Sequence, residues 1–341
     1  MRIGILSSGG DCPGINATIR GVGKAAINSY DMEVIGIHNG FSGLLHKDIS
    51  TLQDSSLSGL LTLGGTILGT AREKAFRKML KSPDKKDQEI IKKSYHELGL
   101  DCLVCIGGNG TQRTTYQLSE LGLNVIGIPK TIDNDVYGTD VTFGFNSAVD
   151  IATEAIDRLH STASSHQRVM VIELMGHRAG WITLYAGMAG GADIILLPEL
   201  GYDLNVIKKV IEKRKKTGRA YSIVAVAEGI EVEGGTDRHH PATYFARKIE
   251  ELTGFEARET VLGYIQRGGS PSPYDRNLGT LLGAHAAQLI NKGKFGRMVS
   301  VKGIDMITDV PLSEVADKLR LVTPDHIMVK QGKKMGVSFG I

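Results

Sequence analysis

Two carboxylates spaced two residues apart, Asp133 and Asp135, stand in the stretch PKTIDNDVYGTD, 129 to 140, directly after the apolar run NVIGI. Pro129 stops regular strand pairing there, and in an extended segment residues i and i+2 share one side. One such carboxylate can take a proton from a hydroxyl while the other helps hold a divalent cation, a division of labour that phosphoryl transfer to an alcohol requires. Taken alone, the stretch reads equally well as an Asx-rich turn without chemistry. Its company favours chemistry. SSGGDCPGINATIRG, 7 to 21, reads as strand, glycine turn and helix, with Pro13 and Asn16 near the helix start. Such a start turns backbone N–H groups and the positive end of the helix dipole toward an anion. LGGTILGTAR, 63 to 72, adds a second glycine-rich turn and delivers Arg72, a side chain suited to bridging phosphate oxygens.

A third glycine loop, in VCIGGNGTQR, 104 to 113, carries Asn109 where a phosphate-handling loop is expected to carry a metal-binding carboxylate. It matches neither the P-loop pattern nor the dinucleotide fingerprint, which disfavours a Walker NTPase and an ordinary Rossmann dehydrogenase. Further along, SSHQR, ELMGHRAG, AVAEG and FEARETVLGYIQRGGSP supply Arg168, Glu228, Arg258 and Arg267 near strand ends. Three arginines able to fork onto phosphate, with an acid able to bind sugar hydroxyls, outline a site for a phosphorylated sugar. A surface salt bridge is the more ordinary role for any one of these arginines; for the set it is not.

The elements that must position these residues are short β-branched runs, most of them ending in a loop residue. RIGILSSGG, EVIGIHNG, CLVCIGGNG and NVIGIPKT come first; RVMVIELMG, DIILLPE, YSIVAVAEG and TVLGYIQRGG follow. Helix-period segments such as 15–28 and 147–161 lie between them, so the alternation is βαβ and the sheets are mostly parallel and covered on both faces. In open α/β sheets ligands bind beyond the carboxyl ends of the strands. Many of the chain's 43 glycines stand at such ends, where close backbone approach presents N–H groups to an anion.

A chain of 341 residues, 41% hydrophobic, can bury a core as one large α/β unit or two coupled lobes. A net charge of +3 over 40 basic and 37 acidic residues gives no concentrated basic face for nucleic acid. The basic run KKVIEKRKKTGR, 208 to 219, reads as the solvated face and last turn of a helix. Cys102 and Cys105 have C-x-x-C spacing, but on a strand residues three apart face opposite ways, so the pair reads as structural. With Cys12 the count is odd, which fits a reducing cytoplasm, and no run reaches the roughly 18 apolar residues of a membrane span. Asp237, His239 and His240 lack a third spaced ligand pair and read as a loop before a helix rather than a zinc site.

SGGDCPGINA, the GGT and LG.AR turn, PKTIDND, SSHQR, MGH, AEG and GYIQRGGSPSPYDR, in this order, resemble the 6-phosphofructokinase family over nearly the whole chain. The resemblance implies two similar α/β lobes, expected at 1–137 with 250–303 for the phosphoryl donor and at 138–249 with 304–341 for the sugar phosphate, the sugar site lying at the cleft. It implies Gly10, Arg72, Glu73, Gly108, Asn109, Gly110 and Thr111 around ATP, with Phe41, Phe76 and Arg77 near an adenine. Thr131, Ile132, Asp133, Met175, Gly176, His177 and Glu228, with Tyr264, Ile265, Gln266 and Arg267, are implied to bind fructose 6-phosphate. Asp133 is implied as the base, helped by Thr131 and Arg72; Mg2+ would meet Asn109 and Asp135, or Asp11. Arg168 and Arg258 would reach the sugar phosphate from a neighbouring subunit of a homodimer or homotetramer.

Four positions depart from the commonest family residues: Asn109 for a metal-binding aspartate, Lys130 for glycine, His177 for arginine and Tyr264 for histidine. Pyrophosphate-using relatives pair an aspartate at the position of Gly110 with a lysine at that of Lys130. Here glycine leaves room for the α-phosphate, so ATP is the expected donor and a pyrophosphate-dependent phosphotransferase the rival. A weakly active sugar-phosphate sensor is the rival of another class, opposed by the retained Asp133. GGNGT alone also resembles lipid and NAD kinases, which the later sugar motifs discount. Effector control by the family's bacterial site is doubtful, because His160 and Ala220 stand where basic residues are common.

Overall fold

The computed structural model describes residues 1–71, 74–233, 240–303 and 306–341; Arg72, Glu73, Asp237 and His239 lie outside them. The chain divides into two units: unit 1 is Met1–Ile132, Val136–Asn146 and Arg267–Leu319, and unit 2 is Asp133–Asp135, Ser147–Gln266 and Arg320–Ile341.

With elements numbered along the chain, unit 1 contains, among the described residues, a seven-stranded sheet. Its strands are β1 (Arg2–Ser8), β2 (Glu33–Ile37), β3 (Ile49–Thr51), β4 (Cys102–Gly107), β5 (Val125–Pro129), β10 (Arg297–Lys302) and β11 (Met306–Pro311), in the order β11-β10-β5-β4-β1-β2-β3. Only β3 and β11 run antiparallel to their neighbours. The central strands are almost wholly apolar, as burial on both faces demands: Ile3, Ile5, Leu6 and residues 102–106 are completely buried. Helices α1 (Ile15–Tyr30), α2 (Phe41–His46), α3 (Lys74–Leu80), α4 (Lys85–Glu97), α5 (Asn109–Glu120), α10 (Pro273–Asn291) and α11 (Leu312–Val315) accompany this sheet. Crossing of α1 and α10 depends on Gly21, whose added Cβ would stand 2.5 Å from the Thr280 carbonyl oxygen.

Among the described residues, unit 2 holds a four-stranded parallel sheet of β6 (Val169–Leu174), β7 (Ile194–Leu196), β8 (Ser222–Ala227) and β9 (Ala257–Val261), in the order β7-β8-β6-β9. Helix α6 (Phe145–His166) begins with the last two residues of unit 1 and continues here with α7 (Trp181–Ala189), α8 (Leu204–Lys216), α9 (Pro241–Thr253) and α12 (Ile327–Met335). Val171, Ile207, Val224, Phe245 and Ile249 build its core. Asp203 caps α8, accepting from Asn205 N at 2.7 Å, and Lys213–Lys216 fill its last turn, where cations complement the helix dipole.

The division differs from the one expected at four places, and pairing gives the reason. Residues 133–135 fall in unit 2, where Arg320 N donates to Asp135 O, and residues 138–146 in unit 1, where Asp140 N donates to Val301 O and Thr139 Oγ1 accepts from Val301 N. Residues 250–266 fall in unit 2 because β9 pairs with β6, Val169 opposite Ala257. Residues 306–319 fall in unit 1 because β11 pairs with β10. No helix among the described residues is long and apolar enough to cross a membrane.

Candidate active site

In unit 1 the chain runs from β1 outward to β2 and β3, then returns to β4 on the other side of β1, which makes a switch point between β1 and β4. The register sets Ser8 opposite Gly107 and Gly107 opposite Pro129, so the loops after β1, β4 and β5 leave the sheet at one level. Cross-links hold them there. Thr111 Oγ1 donates to Ser8 O at 3.3 Å, Lys130 N to Gly107 O at 3.0 Å, and Gln112 Nε2 to Gly107 O at 2.8 Å and Ile128 O at 3.0 Å. Gly9 adopts φ +86° and its N–H meets Ala71 O at 3.2 Å, which ties the first glycine turn to the residue before Arg72. Gly108 caps α5, so the N–H groups of Asn109 and Gly110 open a helix at this level, an anion-binding arrangement.

Among the described residues, three cationic side chains converge on these loops. Lys130, 2% exposed, directs its ammonium to the carbonyls of Ser8, at 3.2 Å, and Gly10. Arg267 donates to Asp11 O at 3.2 Å, and a Cβ on Gly10 would stand 2.6 Å from Arg267 Nη1. The structure therefore brings Arg267, expected among the sugar ligands, to the first glycine loop. Arg77, on α3, has its guanidinium over Gly110, where an added Cβ would lie 2.5 Å from Nη2. Phe41 and Phe76, expected beside an adenine, are 1% and 2% exposed and stack on each other at 4.8 Å, so both are core side chains. Cys12 is fully buried, and burial pushes its thiol well above the ordinary range, which keeps it protonated and inert.

In unit 2 the chain leaves β6 toward β7 and leaves the neighbouring β8 toward β9 on the other side, so the switch point lies between β6 and β8. Leu174 pairs with Ala227, so Met175 and Glu228 leave the sheet together. Glu228 Oε1 accepts from Gly176 N at 3.1 Å and His177 N at 2.7 Å. This carboxylate gathers a loop whose backbone is unusual: Gly176 has φ +151° and His177 φ +54°. Gly229 is obligatory beside it, since a Cβ there would fall 1.9 Å from His177 O. Asp133 is half-buried, with Asn134 and Asp135 buried after it. After β9, Gly263–Arg267 forms a 3-10 turn with Tyr264 76% and Ile265 67% exposed and Gln266 buried, its Nε2 on Gly263 O.

Arg168 and Arg258 are not brought to that end. Arg168 immediately precedes β6 and Arg258 is the second residue of β9, so within one chain they stand roughly 20 Å from Met175 and Glu228, the length of a six-residue strand. They share Glu256: Arg168 Nε lies 2.7 Å from its carboxylate and Arg258 binds the other oxygen, while Arg258 also reaches Glu250 at 3.2 Å. Hydrogen bonding from Arg168 holds the Glu256 carboxyl below its usual range.

No group of three or more His, Cys, Asp or Glu converges among the described residues, so the chain offers no all-protein metal cage there. A half-buried amide at Asn109 suits Mg2+, which keeps several waters and takes one or two protein oxygens plus phosphates. Asp135 belongs to unit 2, where its carbonyl accepts from Arg320 N at 2.8 Å. Arg320 was not among the sequence candidates, nor was Trp181, and only the left-handed tolerance of asparagine at Asn134 (φ +53°) hinted at a constrained turn.

One switch point thus carries glycine loops and a helix N-terminus, and the other an acid and a tight polar loop. A family model described as phosphofructokinase matches residues 2–290. The chain is 62% identical over 340 residues, 100% of both chains, to ATP-dependent 6-phosphofructokinase 3 of Bacteroides thetaiotaomicron. It is 53% identical to ATP-dependent 6-phosphofructokinase of Spirochaeta thermophila, over 99% of this chain and 97% of that one. Among solved structures, phosphofructokinase from Saccharomyces cerevisiae aligns with a TM-score of 0.81 at 30% identity, over 92% of this chain and 45% of the other. With a family model spanning most of its length and relatives matched end to end, the chain belongs to the phosphofructokinase family.

Proposed function

We infer that this protein transfers the terminal phosphoryl group of ATP to the 1-hydroxyl of fructose 6-phosphate, giving fructose 1,6-bisphosphate and ADP, the committing phosphorylation of glycolysis. Relatives similar along their full length, named as ATP-dependent, support the donor. The observation that carries the reading is the register of β1, β4 and β5, which sets Gly9–Asp11, Gly108–Thr111 and Lys130–Thr131 at one level with a helix N-terminus among them.

In the mechanism, the first-turn N–H groups of α5 and the Arg77 guanidinium bind the polyphosphate. Lys130 and Arg267 shape the first glycine loop through the carbonyls of Ser8, Gly10 and Asp11. Arg72, outside the described residues, is the side chain that would balance charge on the phosphates. When bound with the nucleotide, Mg2+ would supply charge neutralisation on the phosphate oxygens, with Asn109 and Asp135 as the protein oxygens nearest in type. Glu228 and the Met175–His177 loop bind the sugar, with Tyr264 and Ile265 beside them. Asp133 takes the proton from the 1-hydroxyl as its oxygen attacks the terminal phosphorus in line, and ADP leaves. Arg168 and Arg258, at the amino ends of their strands, serve the sugar phosphate of a second copy, so we propose a homo-oligomer with shared sugar sites, acting in the cytoplasm.

The test is product formation from fructose 6-phosphate with Mg2+ and either ATP or pyrophosphate. ATP is the expected donor; pyrophosphate preference would overturn the donor assignment. Asp133→Ala should lower kcat by about 10²–10⁴-fold with little change in fructose 6-phosphate affinity, and an unchanged kcat would remove Asp133 as the base.

A further inference from the structure

Residues 320–341 lie beyond the part of the chain that the family model matches, yet they return to unit 2 and hold two of its functional segments. Arg320 bonds the Asp133–Asp135 segment twice, its N–H donating to Asp135 O at 2.8 Å and its Nη1 to Asn134 O at 3.1 Å. The two acceptors belong to residues 3% and 4% exposed, where a carbonyl needs a partner, and Asn134 occupies the left-handed region that most side chains avoid. The same arginine lies over Trp181, guanidinium carbon to ring centroid 4.1 Å, and Trp181 Nε1 donates back to Arg320 O at 2.9 Å. Trp181 opens α7, the helix that follows the sugar loop Met175–Gly180. Glu199 closes the arrangement, its Oε1 accepting from Gly180 N at 2.9 Å and from Val322 N at 3.0 Å.

We propose that Arg320, seated on Trp181, is a positioning residue that fixes the backbone of Asn134 and Asp135, and through it the Asp133 carboxylate, against the sugar loop. A planar guanidinium performs both tasks at once, stacking on an indole while sending an N–H in its own plane to a carbonyl; an ammonium can do only the second. The left-handed backbone at Asn134 is one that asparagine tolerates, and the bond from Arg320 Nη1 to its carbonyl holds it there. Removing the guanidinium leaves the Arg320 N–H on Asp135 but takes away the bond to Asn134 O, at the residue that directly follows the base. The inference rests on the reading of Asp133 as the base, and the variants are chosen to separate the two.

The test compares wild type, Arg320→Met, Arg320→Lys, Trp181→Phe, Asp133→Asn and the double variant D133N/R320M as full-length enzymes, measuring kcat, both KM values and thermal midpoint. Displacing a catalytic group by about 1 Å costs on the order of 10²-fold, so Arg320→Met should lose about 10–100-fold in kcat while KM for ATP stays within about twofold. Arg320→Lys should recover part of the loss and Trp181→Phe should show the same kcat-selective pattern at smaller size. If Arg320 acts through Asp133, D133N/R320M should be no more than about twofold slower than D133N, since residues acting as a unit are not additive. A folded Arg320→Met with wild-type kcat, or losses that multiply in the double variant, would overturn the proposal. Should Arg320→Met not fold, wild-type kcat in both Arg320→Lys and Trp181→Phe would overturn it. A wild-type rate in Asp133→Asn would instead refute the base assignment. The chain has one tryptophan, so a change in Trp181 emission on adding fructose 6-phosphate to the intact enzyme, reduced in Arg320→Met, provides a readout independent of turnover.

Discussion

Gly110→Asp is the substitution whose effect can be worked out most fully. Gly110 is the second residue of α5 and has no positive φ, so a side chain there meets no backbone strain. Its Cβ would lie 2.5, 3.1 and 3.2 Å from Nη2, Cζ and Nη1 of Arg77, the far end of an exposed, flexible side chain that can move away. Replacing a helical glycine by alanine gains up to about 1 kcal/mol, and an acid in the first turn adds about 0.3–1 kcal/mol, so the fold should not weaken. Donor binding is another matter. An aspartate draws Arg77 into an ion pair and places a negative charge at the helix start that a phosphate needs. Losing one charge-assisted hydrogen bond costs about 1.5–3 kcal/mol, and a like charge near 4 Å adds about 1–4 kcal/mol depending on screening. Since each 1.4 kcal/mol is about tenfold, kcat/KM for ATP should fall by at least roughly 10²-fold in Gly110→Asp. Gly110→Ala, which moves Arg77 without neutralising it, should lose far less. The assay is steady-state kinetics with ATP and with pyrophosphate beside a thermal melt. ATP efficiency retained within about threefold in a folded Gly110→Asp, or equal losses in the two variants, would refute the electrostatic argument.

Gly229→Ala should raise KM for fructose 6-phosphate at least about tenfold and lower the thermal midpoint while leaving KM for ATP unchanged, because its Cβ would meet the His177 backbone, which cannot step aside as a side chain can. Stability should also fall on mild acidification. Burial, and then the charge of Arg320, hold His326 below the ordinary imidazole value of 6.5. The unfolded chain therefore takes up the proton first, and the stability due to neutral His326 is complete above pH 6.5 and lost as pH falls from there through the folded value. His326→Asn keeps an acceptor for Met328 N at the start of α12 without titrating, so thermal midpoints from about pH 7.5 to 5.5 should fall less steeply than in wild type; an unaltered slope would exclude His326 as a source.

The sheet strands were readable in the sequence because β1, β4, β5, β6 and β8 are near-continuous apolar runs ending in residues that turn. The glycine turns that follow β1 and β4 were readable for the same reason, since a strand end followed by glycine is a local pattern. Membership of a sheet is not local: nothing in ARETV states that its partner is VMVIEL, and so the sequence alone places residues 250–266 in the other lobe. Phe41 and Phe76 show the converse limit, for an aromatic beside a nucleotide and an aromatic in a core have the same spelling. Arg267 and Asp11 are 256 positions apart and Arg320 and Asn134 are 186 apart, so no spacing rule could have joined them.

The placement of Arg168 and Arg258 leads to a final prediction. Parallel α/β sheets bind ligands beyond the carboxyl ends of their strands, and in unit 2 that end carries Met175, His177 and Glu228. Two arginines at the amino end, roughly 20 Å away, cannot touch the same molecule from the same chain. Their hold on Glu256 gives them a common orientation but leaves them with a carboxylate where a phosphate would compete. If the sugar phosphate of a second copy is that competitor, each site needs Glu228 from one chain and the arginines from another. Arg168→Ala and Glu228→Ala should then each be nearly inactive alone. Mixed in equal amounts after dissociation and reassembly, half of the two-fold pairs combine one of each, and each such pair contains one intact site, so about a quarter of wild-type activity should return. If one chain furnished all of these residues to its own site, no mixture could regain activity, because every site would still carry one of the two lesions.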